Sequence, residues 1–387
     1  QRQMCIRDRR STEYNFQGIM YFFRREKIQC RYQFSLRDAV DITLLQRALT
    51  AALASAPYYT QRLVQEKREM WLEPNTEPCL VYPGSTMRNI PEQTNGYLFC
   101  VSCEGDTVYF DWHHFLLDGH GVSPLLTSIL EQYCNLRYGT AFAVPQIVCD
   151  PPYDMEAMLA EYPPVEYGSD VIQRDVVQTY EGALRRTRVC LSKQSLVEKA
   201  LANNAKPVSA LMGLLCMAMR EYLGKEKIQY SYSSDTRDVA GVPNALYNCV
   251  CSFGHTVKLQ AQTRLADFVA DVDADIRRDL QPQSKRRRMT EQMGWVYKVD
   301  QQKAPLRIKQ RVFQMGEYIG GTISDFWLSY LGNPLMPAAP ELAQYTTDFG
   351  VWVPPDGASV GVEAASLNGK IIPVSYTHLR AHETGAY

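Results

Sequence analysis

The 387-residue sequence has no excess of charge of either sign, because 41 lysine and arginine residues are balanced by 42 aspartate and glutamate residues. A balanced chain has no overall field that would attract nucleic acid or an anionic membrane. It also has no run of 18 apolar residues, which argues against a transmembrane helix, and its first residues have no signal-peptide layout. We therefore expect a cytoplasmic protein that acts on small molecules or other proteins.

Paired metal-binding motifs are also missing. Cys100-x-x-Cys103 is a single CxxC in an alternating, strand-like run, and no HExxH segment is present. The eleven cysteines are odd in number, and most lie in apolar runs such as YLFCVSC. We expect buried, reduced thiols, no metal and no permanently bound cofactor.

Both ends of the chain break the pattern beside them. QRQMCIRDR at the start and VSYTHLRAHETGAY at the end look like translated sequencing-adapter read-through. We therefore interpret 1–10 and 374–387 as artefacts and leave them out of the functional argument. The length of the remainder favours two lobes, predicted at 11–165 and 166–373.

Apolar alternation predicts strands, and apolar residues spaced by three and four predict helices. The predicted strands cover 27–36, 96–103, 107–113, 186–192, 228–234, 249–259, 311–317, 323–331 and 346–353. The predicted helices cover 41–55, a segment opened by Pro124, 194–203, 207–222 and 264–280. Residues 140–186 hold paired prolines and little periodicity, so we expect them to connect the lobes.

The segment HHFLLDG places His113, His114, Asp118 and Gly119 between a strand and a helix. Adjacent strand residues point to opposite faces, so the two histidines cannot both enter one cleft or chelate one metal. One histidine can be catalytic while the other supports it. Asp118 either holds the turn by accepting backbone N–H groups or pairs with an arginine. Gly119 supplies either a positive φ or a close approach.

HHxxxDG in this setting resembles the signature of chloramphenicol acetyltransferases, condensation domains of peptide synthetases and related alcohol acyltransferases. Three further segments resemble that family in the same order, namely YQFSLRDAVDITLLQRALTAALASAPYYTQRL, SSDTRDVAGVPNALYNCVCSFGHTVKL and ISDFWLSYLGN. Together they span most of 27–372. The resemblance implies an α/β (α+β) fold of two chloramphenicol acetyltransferase-like lobes, each a largely antiparallel sheet with helices, that meet at a tunnel.

The resemblance also implies a function. An acyl group would move from a thioester, acyl-coenzyme A, to an acceptor hydroxyl or amine, with His114 as the general base. Neutral imidazole suits that task, with an unperturbed pKa near about 6.5. His113 and Gly119 would complete the catalytic segment, and Asp118 would pair with Arg237.

Other residues receive roles from the same resemblance. Asn248 would support the site. Ser329 and Tyr330 would line the tunnel, where the family often has Ser-Asn, so the identity of the oxyanion donor stays open.

The basic run Lys285, Arg286, Arg287 and Arg288 is either a solvated face or a phosphate site for coenzyme A or a carrier's phosphopantetheine. The segment at 348–352, DFGVW, is similar to the DFGWG of plant acyltransferases and is interpreted as a structural strand–turn. Lone histidines such as His120 and His255 are more often structural.

Two other functions remain open. One is a peptide-synthetase-type condensation enzyme that uses carrier-protein thioesters, and the other is a non-catalytic binding module on the same fold. No carrier-domain serine motif and no adenylation motif is found, which favours a stand-alone enzyme. The intact HHxxxDG favours an enzyme over a binding module.

Overall fold

The structure is a computed structural model, and it describes residues 16–24, 28–144, 146–163, 184–320, 324–335, 340–353 and 358–378. The helices are α1 (Phe16–Phe23), α2 (Ile42–Ala54), α3 (Gly119–Tyr138), α4 (Met155–Glu161), α5 (Lys193–Ala202), α6 (Pro207–Leu223), α7 (Arg237–Ala240), α8 (Val269–Asp279), α9 (Pro282–Asp300) and α10 (Leu306–Gly320). The strands are β1 (Gln29–Leu36), β2 (Gln61–Gln65), β3 (Met70–Pro74), β4 (Val81–Pro83), β5 (Phe99–Glu104), β6 (Thr107–His113), β7 (Leu184–Arg188), β8 (Leu191–Ser192), β9 (Lys227–Asp235), β10 (Val250–Lys258), β11 (Ser324–Tyr330), β12 (Thr346–Trp352), β13 (Ala358–Leu367) and β14 (Lys370–His378).

The first sheet has the strand order β12-β1-β6-β5-β4. Strand β1 alternates between partly and fully buried residues, as a strand with one face on the core must. It pairs antiparallel with β6 on one side and β12 on the other, so that Tyr32 lies between Phe110 and Val351. Strand β12 comes from the far end of the chain, and it therefore ties the two halves of the sequence together.

Helix α2 begins where the sequence predicts. The side chain of Asp41 accepts the backbone N–H groups of Thr43 and Leu44 at 2.9 and 3.0 Å, which satisfies two donors of the first turn. The apolar stripe of this helix is buried, and it comprises Leu45, Ala48, Leu49, Ala52 and Leu53. The periodicity of the sequence thus identified both the helix and its inward face.

The second sheet has the order β10-β9-β11-β13-β14-β7, with β8 also paired to β14. Among the described residues of this sheet, only the pairs β11–β9 and β11–β13 are parallel, so the sheet is largely antiparallel, as expected. One face, with Phe326, Leu328 and Val362, packs on α5, α6 and α8. The opposite face, with Trp327 and Ala365, joins the core of the first sheet. The two sheets therefore meet across a shared interior.

Two expectations for secondary structure are wrong. Residues 311–317 lie in helix α10, where the aromatic and β-branched residues suggested a strand. Tertiary packing explains the helix, because Phe313 is buried against Phe23 and Trp295. Helix α3 begins at Gly119, before Pro124, because the side chain of Asp118 accepts the N–H of Gly121 and caps the helix there.

The predicted ends of the lobes fall partly outside the described residues. Within 140–186, helix α4 is present and 164–183 is not described. The proposed boundary at 374 falls inside β14, where Val374 and Tyr376 are buried. Where the natural chain ends stays a prediction. In the part of the chain that the structure describes, no helix is long and apolar enough to cross a membrane.

Candidate active site

The HHFLLDG segment forms the turn from β6 into α3. Strand β6 ends at His113, and the N–H of His114 donates to the carbonyl of Ile28 at 2.8 Å. The amide of Asn248 donates to the carbonyl of His114 at 2.6 Å and so holds the turn from the other half of the chain. The backbone that carries His114 is thus fixed on both sides.

The ring of His113 lies inside this turn. Its ring is buried, and its Nδ1 accepts the N–H of Phe115 at 3.1 Å. The backbone N–H of His113 donates to the carbonyl of Leu98 at 2.9 Å. An imidazole that accepts a backbone N–H at Nδ1 is neutral and carries its proton on Nε2. His113 therefore shapes the turn that presents its neighbour.

His114 has the opposite orientation. Its side chain is half-buried, and the ring of Tyr21 from helix α1 stacks on it, with centroids 3.8 Å apart and planes 4° apart. The Nδ1 atom is buried and has no hydrogen-bond partner among the described residues. The other ring nitrogen, Nε2, is not among the buried unpaired atoms.

Burial determines the charge of His114. It lowers the pKa of the imidazole to about 4, against the opposing effects of the residue's own carbonyl, the Asp118 carboxylate and the Asn248 amide. Neutral imidazole is therefore the form present at pH 7. The value of about 6.5 applies to an unperturbed imidazole, and burial perturbs this one.

Asp118 both caps α3 and pairs with Arg237, so the two roles considered for it occur together. One guanidinium nitrogen of Arg237 donates to both carboxylate oxygens, at 2.9 and 3.0 Å. The N–H groups of Gly121 and Cys249 donate to the same carboxylate at 2.8 and 3.0 Å. Both side chains of the pair are only 4% exposed. Burial alone would raise the pKa of Asp118, but Arg237 and these N–H groups lower it overall.

Gly119 provides a close approach, and its φ is not positive. A Cβ at this position would lie 2.5 Å from the hydroxyl of Tyr32 and 2.6 Å from the side chain of Leu331. Gly121 is equally restricted, because a Cβ there would meet the carbonyl oxygen of Leu246 at 1.8 Å. The start of α3 is thus pressed against both β1 and the second half of the chain.

The basic run lies on helix α9, and the structure engages most of it internally. Lys285 is buried beside Asp238, and Arg286 contacts the backbone carbonyl of Val239. Arg288 donates to the carbonyl of Ser252 at 2.6 Å. Arg287 is exposed. The phosphate role of this run stays a prediction, and Arg287 is the side chain most open to such a ligand.

The remaining predicted residues have different surroundings. Ser329 is within hydrogen-bonding reach of Glu363 on the neighbouring strand, and Tyr330 is partly exposed. His120 lies on the surface near Asp235, and His255 contacts Asp279 at 2.5 Å.

Cys100 and Cys103 are buried free thiols in β5. Within the described ranges, no group of histidine, cysteine and carboxylate side chains could hold a metal.

Two residues of the site were not found from the sequence. Tyr21 belongs to a helix far from the motif in the sequence, and Glu363 lies in the apolar run VGVEAAS. A charged residue inside an apolar strand is a signal that could have identified Glu363. No comparable signal marks Tyr21.

No family model matches the sequence, and no curated protein matches it. Solved structures do. Polyketide synthase associated protein 5 from Mycobacterium tuberculosis is 17% identical, with TM-score 0.60, over 92% of this chain and 90% of that chain. The first condensation domain of the CDA synthetase is 13% identical, with TM-score 0.61, over 95% and 90%. F. sporotrichioides TRI101, complexed with coenzyme A and T-2, is 10% identical, with TM-score 0.62, over 95% of both.

These likenesses show the fold. The chain has the two-lobed α/β architecture that condensation domains and acetyltransferases such as TRI101 share. At this level of identity the likeness carries no substrate and no residue role to this chain.

Proposed function

We propose that this chain is an acyltransferase that uses an acyl thioester, acyl-coenzyme A, to acylate the hydroxyl or amine of a small acceptor, with His114 as the general base. The observation that carries the proposal is the placement of His114. A neutral imidazole lies at the meeting of the two lobes, on a turn held by Ile28 and Asn248, with its Nδ1 buried.

The reaction needs one proton to move twice. His114 Nε2 takes the proton of the acceptor hydroxyl as the oxygen attacks the thioester carbonyl. The tetrahedral intermediate then collapses, the carbon–sulfur bond breaks, and the imidazolium returns the proton to the departing thiolate. A positioned base of this kind contributes about 10²–10⁴-fold.

The low pKa of His114 is compatible with this cycle. A base with a pKa of about 4 is free of protons at pH 7 in nearly every molecule. Its affinity for a proton must rise when the negatively charged intermediate forms beside it, because a neighbouring opposite charge favours the charged form of a group. The Asp118–Arg237 pair holds the turn and takes no part in proton transfer in this proposal.

The choice of donor rests on the fold neighbours. Structures of TRI101 contain coenzyme A, which supports a coenzyme A thioester as the donor here. Condensation domains have the same fold, which supports a carrier-bound thioester as the second candidate. A non-catalytic module would show neither reaction.

The experiment presents acetyl- and longer acyl-coenzyme A with a panel of alcohols and amines and follows thiol release. Replacement of His114 by alanine should lower turnover by about 10²–10⁴-fold with little change in donor binding. His113→Ala should act through lost stability, and the exposed His120→Ala is the matched control. Thiol release that survives His114→Ala would refute the mechanism. Transfer only from a carrier-bound thioester would establish the second candidate.

A further inference from the structure

Of the buried polar atoms that have no hydrogen-bond partner among the described residues, three belong to strands around the interior that the two sheets share. They are the hydroxyl of Tyr32 on β1, the indole N–H of Trp327 on β11 and one carboxyl oxygen of Glu363 on β13. Tyr32 is 1% exposed and Glu363 is 4% exposed. Buried polar groups in proteins are almost always paired, so a cluster of unpaired ones calls for an explanation.

Register places two of these groups on one face of the second sheet. Trp327 pairs with Gly361, and Ser329 pairs with Glu363. Residues two apart on a strand share a face, so the indole and the carboxyl group project to the same side. The indole edge, including its nitrogen, lies 3.1 Å from where a Cβ of Gly361 would be, so the indole packs closely on this strand at Gly361.

Tyr32 approaches from the first sheet. Its hydroxyl lies against Gly119, beside Leu331, which follows β11 directly. Burial raises the pKa of its phenol most, and the Glu363 carboxylate raises it further, which places the two groups within electrostatic range. Tyr21, which stacks on His114, is also within range of Glu363. The hydroxyl of Tyr32 therefore lies at the start of α3, the helix that follows the turn carrying the proposed base.

The chemistry of the three groups selects a ligand. The indole N–H of Trp327 can only donate, so its partner must accept. The free oxygen of Glu363 accepts when the carboxyl group is ionised and can donate when it is protonated, so its partner must be able to do both. A hydroxyl group does both, whereas an ammonium has no acceptor and a carboxylate has no donor. Burial raises the pKa of Glu363 to about 8, opposed by the Ser329 hydroxyl, so a neutral partner fits this carboxyl group at pH 7.

We propose that Tyr32, Trp327 and Glu363 form an acceptor subsite that binds a second, non-reacting hydroxyl group, so that the acceptor is a polyhydroxylated molecule. The inference rests on the proposed acyl transfer and names its acceptor class. Ser329 orients the carboxyl group of Glu363 within this subsite.

The test measures binding without any donor. Isothermal titration calorimetry compares 1-hexanol with hexanediols of different hydroxyl spacing, 6-aminohexanol and 6-hydroxyhexanoate. We expect at least one diol to bind the full chain about tenfold or more tightly than 1-hexanol, and the amine and the carboxylate not to exceed it. Tyr32→Phe and Glu363→Leu should each reduce this preference to near one. Glu198→Leu, which replaces an exposed glutamate on α5, is the matched control and should keep it.

Equal affinity for every diol and for 1-hexanol overturns the subsite, as does tighter binding of the amino alcohol. A preference that survives both substitutions overturns it too. If Glu363→Leu fails to fold, Tyr32→Phe decides the question alone. The two proposals fail separately: His114-dependent transfer without a diol preference refutes the subsite only, and a Glu363-dependent preference without transfer from any thioester refutes the acyltransferase only.

Discussion

Replacing Asp118 by alanine tests how the site is held together. The substitution removes a carboxylate that accepts from Gly121, Cys249 and Arg237, and it leaves the buried guanidinium without its main counterion. Breaking a buried ion pair by removing one partner costs about 3–5 kcal/mol. Arg237 keeps bonds to the carbonyls of Ala245 and Tyr247 and to Asp235. We therefore expect the free energy of unfolding to fall by an amount at the lower end of this range, about 3 kcal/mol.

The assay is urea unfolding followed by tryptophan fluorescence, with turnover measured on the same samples. Asp118→Ala should shift the unfolding midpoint to lower urea and reduce turnover by misplacing His114. Asp235→Ala is the matched control, because it removes the second carboxylate that contacts Arg237. The side chain of Asp235 is 43% exposed. That exposed contact should be worth about 1 kcal/mol or less.

A double-mutant cycle isolates the pair. If Asp118 acts through Arg237, then Arg237→Met should destabilise the wild type strongly and the Asp118→Ala protein much less, because the partner is already gone. An Asp118→Ala protein that unfolds at the wild-type urea concentration and keeps full activity would refute the structural role. Additive effects of the two substitutions would refute the coupling while leaving the capping role intact.

Four further predictions come from the same geometry. Because the pKa of His114 is lowered to about 4, kcat/KM should stay flat from pH 8 to 6 and fall only as the pH approaches 4, and a midpoint near 6.5 would contradict the burial of the ring. Between pH 6.5 and 4 the imidazole of His114 binds a proton in the unfolded chain but not in the folded one. The contribution of His114 to stability should therefore be lost as the pH falls below about 6.5. Tyr21→Phe should keep turnover and the pH profile, whereas Tyr21→Ala should lower kcat and move the profile towards higher pH by exposing the ring to water. Gly119→Ala should destabilise the protein through contact with the Tyr32 hydroxyl, and Tyr32→Phe added to it should recover part of the loss in thermal melting, with unchanged melting of Gly119→Ala contradicting the close approach.

Much of the fold could be read from local pattern. Strand β1 has an alternating apolar pattern, and helix α2 has an N-cap and one apolar face. Both signals depend on neighbouring residues, so the sequence identified these elements within a few positions. The strand prediction for 311–317 failed because their aromatic content favours a strand. Contacts from α1 and α9 hold Phe313 in a helix. Local propensity cannot report a partner so far away in the chain.

The candidate site divides in a similar way. The opposite orientation of His113 and His114 follows from strand geometry, which any sequence containing the motif would share. The contact of Asp118 with Arg237 joins residues 119 positions apart, and the sequence suggested it only through a resemblance. Glu363 stood in an apolar run without any sign of which groups it would meet.

The sequence by itself determined that β1 and α2 form, where α2 begins and which turn carries the histidines, because these depend on periodicity and capping over a few residues. Only the tertiary structure decided that β12 joins the first sheet, that Tyr21 covers His114 and that the imidazole is neutral well below pH 7. Burial and long-range contact are properties of the packed chain. They change a pKa or leave a carboxyl oxygen unpaired only once distant segments have come together.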